Sequence, residues 1–155
     1  MGEISWQLQQ YNELWRENDS FYRKMAKTMG LSECTMWILY SLRVYQKPMT
    51  PAQLCDVMLQ PKQTIHSALK KMEADGLLET MPAQDRRSRR LRLTERGTEL
   101  ARRTADLVIQ AEQNALDALP PQDCQQLLTL FRQYTDILHK SLQLLQEKKH
   151  ADSAI

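Results

Sequence analysis

The sequence predicts a mainly α-helical protein that carries one small β-hairpin, and three observations lead there. Only 4 Gly and 6 Pro in 155 residues leave little room for a loop-rich or all-β chain. Met, Leu and Gln are abundant while Val and Ile are few, a composition that favours helix. Apolar residues recur at three- and four-residue spacing through most of the chain and alternate only near residues 77–93.

Residues 3–29 read as a long first helix, with Ile4, Leu8, Tyr11, Leu14, Trp15, Tyr22, Met25 and Met29 at helical spacing and Gly30 ending it. Ser32 caps a second helix with Glu33 in its first turn. From Met36 to Leu42 that helix is apolar nearly all round, which makes it central and buried. The stretch TPAQ at 50–53 is a helix start: Thr50 caps, Pro51 takes the first helical position, and Gln53 can close a capping box. Pro61 restarts the chain a few residues on. In PKQTIHSALKKMEADG, Ile65, Ala68, Leu69 and Met72 share one side, and Lys62, Gln63, His66, Ser67 and Lys70 share the other. Gly76 then supplies the left-handed residue that ends a helix.

LLETMP at 77–82 is a short strand stopped by Pro82. RRLRL at 89–93 alternates, with Leu91 and Leu93 to one face and Arg90 and Arg92 to the other. Between them lies the turn-like AQDRRS, so the two form a β-hairpin with a basic tip. Two short helices joined by a tight turn and followed at once by a basic hairpin make a winged helix-turn-helix. Thr94 caps the next helix, with Glu95 in its first turn. Residues 94–118 read as one long helix with little apolar bulk, and PPQD at 120–123 breaks and restarts the chain. Residues 122–147 place Leu127, Phe131, Tyr134, Leu138, Ser141 and Leu145 at a repeat of three and four, a coiled-coil-like seam. The expected organisation is an N-terminal dimerisation helix over 3–30, the winged helix-turn-helix over 31–97, C-terminal dimerisation helices over 98–148 and a disordered tail over 149–155. Long helices at both ends of a small middle module are more than it needs to cover itself, and a second copy is the expected partner.

Charge locates the function. The chain is nearly neutral at +2, yet residues 60–97 hold 9 Lys and Arg against 5 Asp and Glu, while the remainder holds 12 against 14. A basic segment of this kind points to a polyanion. Other classes fall away. The longest apolar run is MWILY at 36–40, far short of the ~20 residues a spanning helix needs. MGEISW lacks the basic-then-apolar order of a signal peptide, so a cytoplasmic protein is expected. Cys34, Cys55 and Cys124 are odd in number and scattered, with no CxxC spacing and no zinc pattern with His66, His139 and His150, so no metal or other cofactor is expected. They read as small core residues. No Ser/His/Asp or Cys/His set, glycine-rich phosphate loop or paired acids can be assembled, so an enzyme is not expected.

DRRSRRLRLTERG at 85–97 resembles the wing signature of the MarR family of bacterial winged-helix transcription regulators, Asp-x-Arg followed by alternating apolar positions and Leu-Thr-x-x-Gly. KQTIHSALKKMEADGLL at 62–78 is similar to that family's recognition helix and following strand. The resemblance covers about residues 4–146. It implies a homodimer built from the first and the last two helices, with a winged helix on each side, acting in the cytoplasm at the nucleoid. It implies that Thr64, His66 and Ser67 enter the major groove and that Asp85 holds Arg87 into the minor groove. It also implies a small-molecule effector. Tyr11, Trp15, Tyr22, Met36, Trp37 and Tyr40 are candidates to line its pocket, with core packing as the plainer role. The chain departs from the pattern at Thr80, where family members often carry Arg, and it has no cysteine in the first helix, where the family's peroxide sensors keep one.

The residue types suit double-stranded DNA. Lys62, Lys70, Arg86, Arg89 and Arg90 could neutralise phosphates, the main source of affinity. Gln63, Thr64, His66 and Ser67 are polar side chains fit for base edges. An Arg at the hairpin tip is attracted into a narrow minor groove, and Asp85 can orient it through paired hydrogen bonds. The expectation is a homodimeric repressor of a palindromic operator, released by a small aromatic effector. The rival is a winged-helix protein-interaction module whose arginines meet an acidic partner.

Overall fold

The computed structural model describes residues 4–58, 60–81 and 89–152, with the backbone alone for 149–152. The elements run α1 (Trp6–Thr28), α2 (Glu33–Tyr45), α3 (Pro51–Val57), α4 (Lys62–Ala74), β1 (Leu78–Met81), β2 (Arg90–Leu93), α5 (Glu95–Arg102), α6 (Ala105–Asp117) and α7 (Pro121–Asp152). The fold is mainly helical with one antiparallel hairpin, as expected.

Most boundaries come from local chemistry. Ser5, Ser32, Thr50 and Thr94 each accept a backbone N–H three residues on, capping α1, α2, α3 and α5. At α3 the Gln53 side chain also accepts from the Thr50 N–H, closing the capping box with Pro51 at the first position. Helices α1 and α4 end in the same way. Gly30 and Gly76 both sit at φ +69°, and the N–H groups of Leu31 and Leu77 reach back to the Ala26 and Met72 carbonyls at 2.9 and 2.8 Å.

Met1–Gln110 form one compact unit, and α2 is at its centre. Ile38, Leu39 and Leu42 of α2 pack with Leu54 of α3, Ile65, Leu69 and Met72 of α4, Leu78 and Leu91 of the hairpin, and Ala101 and Ala105 further on. The hairpin register pairs Leu78 with Leu93, Glu79 with Arg92, Thr80 with Leu91 and Met81 with Arg90. Met49 adds a single bridge to Leu91, with N–H···O bonds of 3.1 and 2.8 Å, and ties the hairpin to the segment before α3.

Two expectations need correction. The helix expected over 94–118 is broken. The N–H groups of Arg103 and Thr104 bond three residues back, to Leu100 and Ala101, and the Thr104 hydroxyl donates to the Leu100 carbonyl at 2.7 Å. A hydroxyl that competes for a helix carbonyl bends the helix, and no Pro or Gly announces it. The disordered tail expected over 149–155 overlaps the end of α7, which runs to Asp152, and residues 153–155 lie outside the described residues.

Ala111–Ile155 form the second unit. Within it, Leu127, Phe131, Tyr134, Leu138 and Leu145 of α7 are all exposed, between 38% and 59%. Among the described residues no helix is long and apolar enough to cross a membrane.

Candidate nucleic-acid interface

Helices α3 and α4, joined by a short turn, form the helix-turn-helix, and the core decides which face of α4 is free. Ile65, Leu69 and Met72 are at most 3% exposed and anchor α4 against α2 and α3. Lys62, Gln63, Thr64, His66, Ser67 and Lys70 are all exposed, so the structure brings the six candidates together on the opposite face. Five of them fall in two stripes at helical spacing, with Lys62 at the helix start. One holds Gln63, His66 and Lys70; the other holds Thr64 and Ser67 and continues to Lys71. Lys71 is exposed and sequence reading passed over it, although seven residues from Thr64 is the same face two turns later. Among the described residues no side chain caps the start of α4 at Pro61, which leaves the partial positive charge of its first turn uncapped beside Lys62. None of Lys62, Lys70, Lys71 and Arg90 forms an ion pair with a described carboxylate.

The hairpin follows α4 directly and its arginines divide. Arg92 Nε meets Glu79 Oε1 across the strands at 2.6 Å. Arg89 Nη2 donates to Glu73 Oε1, at the C-terminal end of α4. Arg90 stands exposed on the other face of the strand. Asp85, Arg86 and Arg87 lie outside the described residues, and with them the expected aiming of Arg87 by Asp85.

Of the residues considered for an effector, Tyr22, Trp37 and Tyr40 come together. The Tyr22 and Trp37 ring centres are 5.0 Å apart, and Trp37 meets Tyr40 edge-on at 5.1 Å. Met36 is 4% exposed and belongs to the core, Tyr11 is half-buried and Trp15 is 52% exposed, further toward the start of α1. A groove of about 860 Å³ lies between the start of α2 and α4, lined by Ser32, Thr35, Thr64, Ser67 and Lys71 among others, and by none of those six residues. Among the described residues no three His, Cys, Asp or Glu side chains gather as a metal site.

The sequence profile of the MarR family matches residues 35–88, a span that takes in most of α2 and all of α3, α4 and β1. No curated protein matches the chain. Among solved structures, a MarR family regulator from Neisseria meningitidis is similar at 24% identity, over 88% of this chain and 96% of that one, with a TM-score of 0.71. MepR from S. aureus in complex with DNA is similar at 14% identity over 89% and 99%, with a TM-score of 0.68. PcaV from Streptomyces coelicolor, in complex with its natural ligand, is similar at 19% identity over 88% and 98%, with a TM-score of 0.60.

Proposed function

From the premise that this chain carries the MarR-family winged-helix fold, we propose that it is a homodimeric, sequence-specific DNA-binding repressor released by a small-molecule effector. The observation that carries the reading is the free face of α4: four polar side chains between Lys62 and Lys70, followed at once by a basic hairpin. Gln63, Thr64, His66 and Ser67 read bases in the major groove, Lys62, Lys70 and Arg90 take phosphates, and Arg87, aimed by Asp85, enters the minor groove. The DNA complex of MepR supports the first part and the ligand complex of PcaV the second. For the dimer, the support is the exposed apolar surface of α1 and α7: Trp6, Leu14 and Trp15 on the first, and the Leu127–Leu145 seam on the second. Two-fold symmetry then requires a palindromic operator with half-sites roughly 34–36 Å apart. An effector near Tyr22, Trp37 and Tyr40 would sit beside α2, on which α4 packs, and could shift the recognition helices.

The experiment is selection of duplexes from a random pool by the full-length protein, followed by anisotropy titration with the selected duplex against excess random DNA. A palindromic consensus that resists competition, and whose preference changes on Thr64→Ala or His66→Ala, supports the reading. Recovery of no consensus, with binding abolished by competitor, removes it in favour of a docking surface for an acidic protein.

A further inference from the structure

By charge, Arg89 counts with Arg90 as a phosphate contact. Strand register separates them. Side chains alternate along β2, so residue 89 shares the face of Leu91 and Leu93, toward the core and α4, while Arg90 and Arg92 share the other. Leu91 is fully buried and marks the inner face. Glu73 meets Arg89 there, on the last turn of α4. Its Oε1 accepts from Arg89 Nη2 and from the Thr80 hydroxyl at 3.0 Å, so one carboxylate joins the helix to both strands of the hairpin. The pair is partly withdrawn from water, with side-chain exposures of 41% for Arg89 and 25% for Glu73. Arg89 Nε is buried with no hydrogen-bond partner among the described residues, and Glu73, on Nη2, is the described acid that pairs with this guanidinium.

We infer that Glu73 is a positioning residue for DNA recognition: through Arg89 and Thr80 it clamps the hairpin to α4 and withdraws the Arg89 charge from the phosphate-binding set. The inference rests on the DNA-binding reading above. Its physical content is leverage. Each strand has four residues, and Arg89 lies on the tip side of β2. A clamp at that point makes helix and hairpin one body, so groove contacts from α4 and from the hairpin come in fixed spacing. Without it the hairpin is held through Leu78, Leu91 and the Met49 bridge to Leu91, and among the described residues the side-chain bonds from its strands to α4 are lost.

The test uses the full-length protein with two probes, a duplex it selects from a random pool and a random duplex of equal length. Each phosphate contact contributes about 0.9 to the slope of log affinity against log salt. Arg90→Gln should lower the slope on random DNA by about 1. Arg89→Gln should leave that slope unchanged, yet lower the preference for the selected duplex by roughly tenfold, the scale of one lost specific contact. Glu73→Gln should lower the preference equally and raise the slope as Arg89 is released, and the double variant should lose no more preference than either single one and keep the wild-type slope. The swap Glu73→Arg with Arg89→Glu should restore part of the preference. Without DNA, Glu73→Gln and Arg89→Gln should speed amide exchange in β1 and β2 and leave α2 as in wild type. A slope lowered by about 1 in Arg89→Gln, or unchanged hairpin exchange in both variants, overturns the clamp while DNA binding stands. Wild-type protein with no preference between the duplexes overturns both.

Discussion

Gly97 shows how much of this fold is settled by single atoms. A Cβ placed there would lie 2.0 Å from the Leu77 carbonyl oxygen, which already accepts the Thr94 N–H at 3.1 Å. The Thr94 hydroxyl works at the same junction, donating to the Gly76 carbonyl at 2.6 Å and accepting the Gly97 N–H at 3.0 Å. The end of α4, the return of β2 and the start of α5 therefore meet within one hydroxyl and one missing side chain. Gly97→Ala should destabilise the protein by about 1–3 kcal/mol, the usual cost of overpacking. A urea midpoint unchanged from wild type would refute the close approach. Cys34 gives a second residue-scale expectation. Burial, with Cys55 nearby as the smaller cause, pushes its thiol above the usual range. Less thiolate at a given pH means slower alkylation, so iodoacetamide at pH 8 should modify Cys34 more slowly in the folded protein than in the urea-unfolded chain. Equal rates, read by peptide mass mapping, would refute that account.

At the scale of elements, α4 and α7 have opposite fates. The apolar stripe of α4 is satisfied within its own unit, which leaves its polar stripe free for DNA in the proposed function. The stripe of α7 is left exposed, and an amphipathic helix with both faces wet needs a partner. If that partner is a second copy, Leu138→Glu should yield a monomer in sedimentation velocity with its helical circular dichroism kept. A dimer of wild-type affinity would remove this part of α7 from the interface. Helix starts, the two glycine stops and the alternation of β2 were legible because each is fixed by neighbours within a few residues. The break at Thr104 was not, since a Thr in a helical pattern is ordinary until its hydroxyl turns to the carbonyl behind it. The division of the arginines was half legible. Parity sets Arg89 apart from Arg90, but nothing local says that Glu73 waits on the inner face.

At the scale of the molecule, Arg43 and Asp106 tie α2 to the start of α6 across 63 residues of sequence. Arg43 Nε and Nη2 donate to the two carboxylate oxygens, both at 2.7 Å, and this hydrogen bonding raises the guanidinium pKa further. With side-chain exposures of 36% and 27%, the pair lies between a surface bridge and a buried one. A double-mutant cycle with Arg43→Ala and Asp106→Ala should give a coupling free energy on the order of 1 kcal/mol by urea denaturation, and additive losses would show that the two do not interact. The pair sits just past the Thr104 break, in the first turn of α6.

The sequence by itself determined what depends on short range: the capped starts of α2, α3 and α5, the glycine stops of α1 and α4, which face of α4 is polar, that the hairpin alternates, and that the positive charge gathers in residues 60–97. Only the tertiary structure decided which charges are free. Glu73 is sixteen residues from Arg89 and Asp106 sixty-three from Arg43, and a carboxylate a few ångströms from a guanidinium cancels most of its reach toward a third partner. Five arginines in nine residues look alike as a string. Once α4 and the core take their places, Arg89 and Arg92 are held by acids and Arg90 remains exposed, free of any ion pair with a described residue.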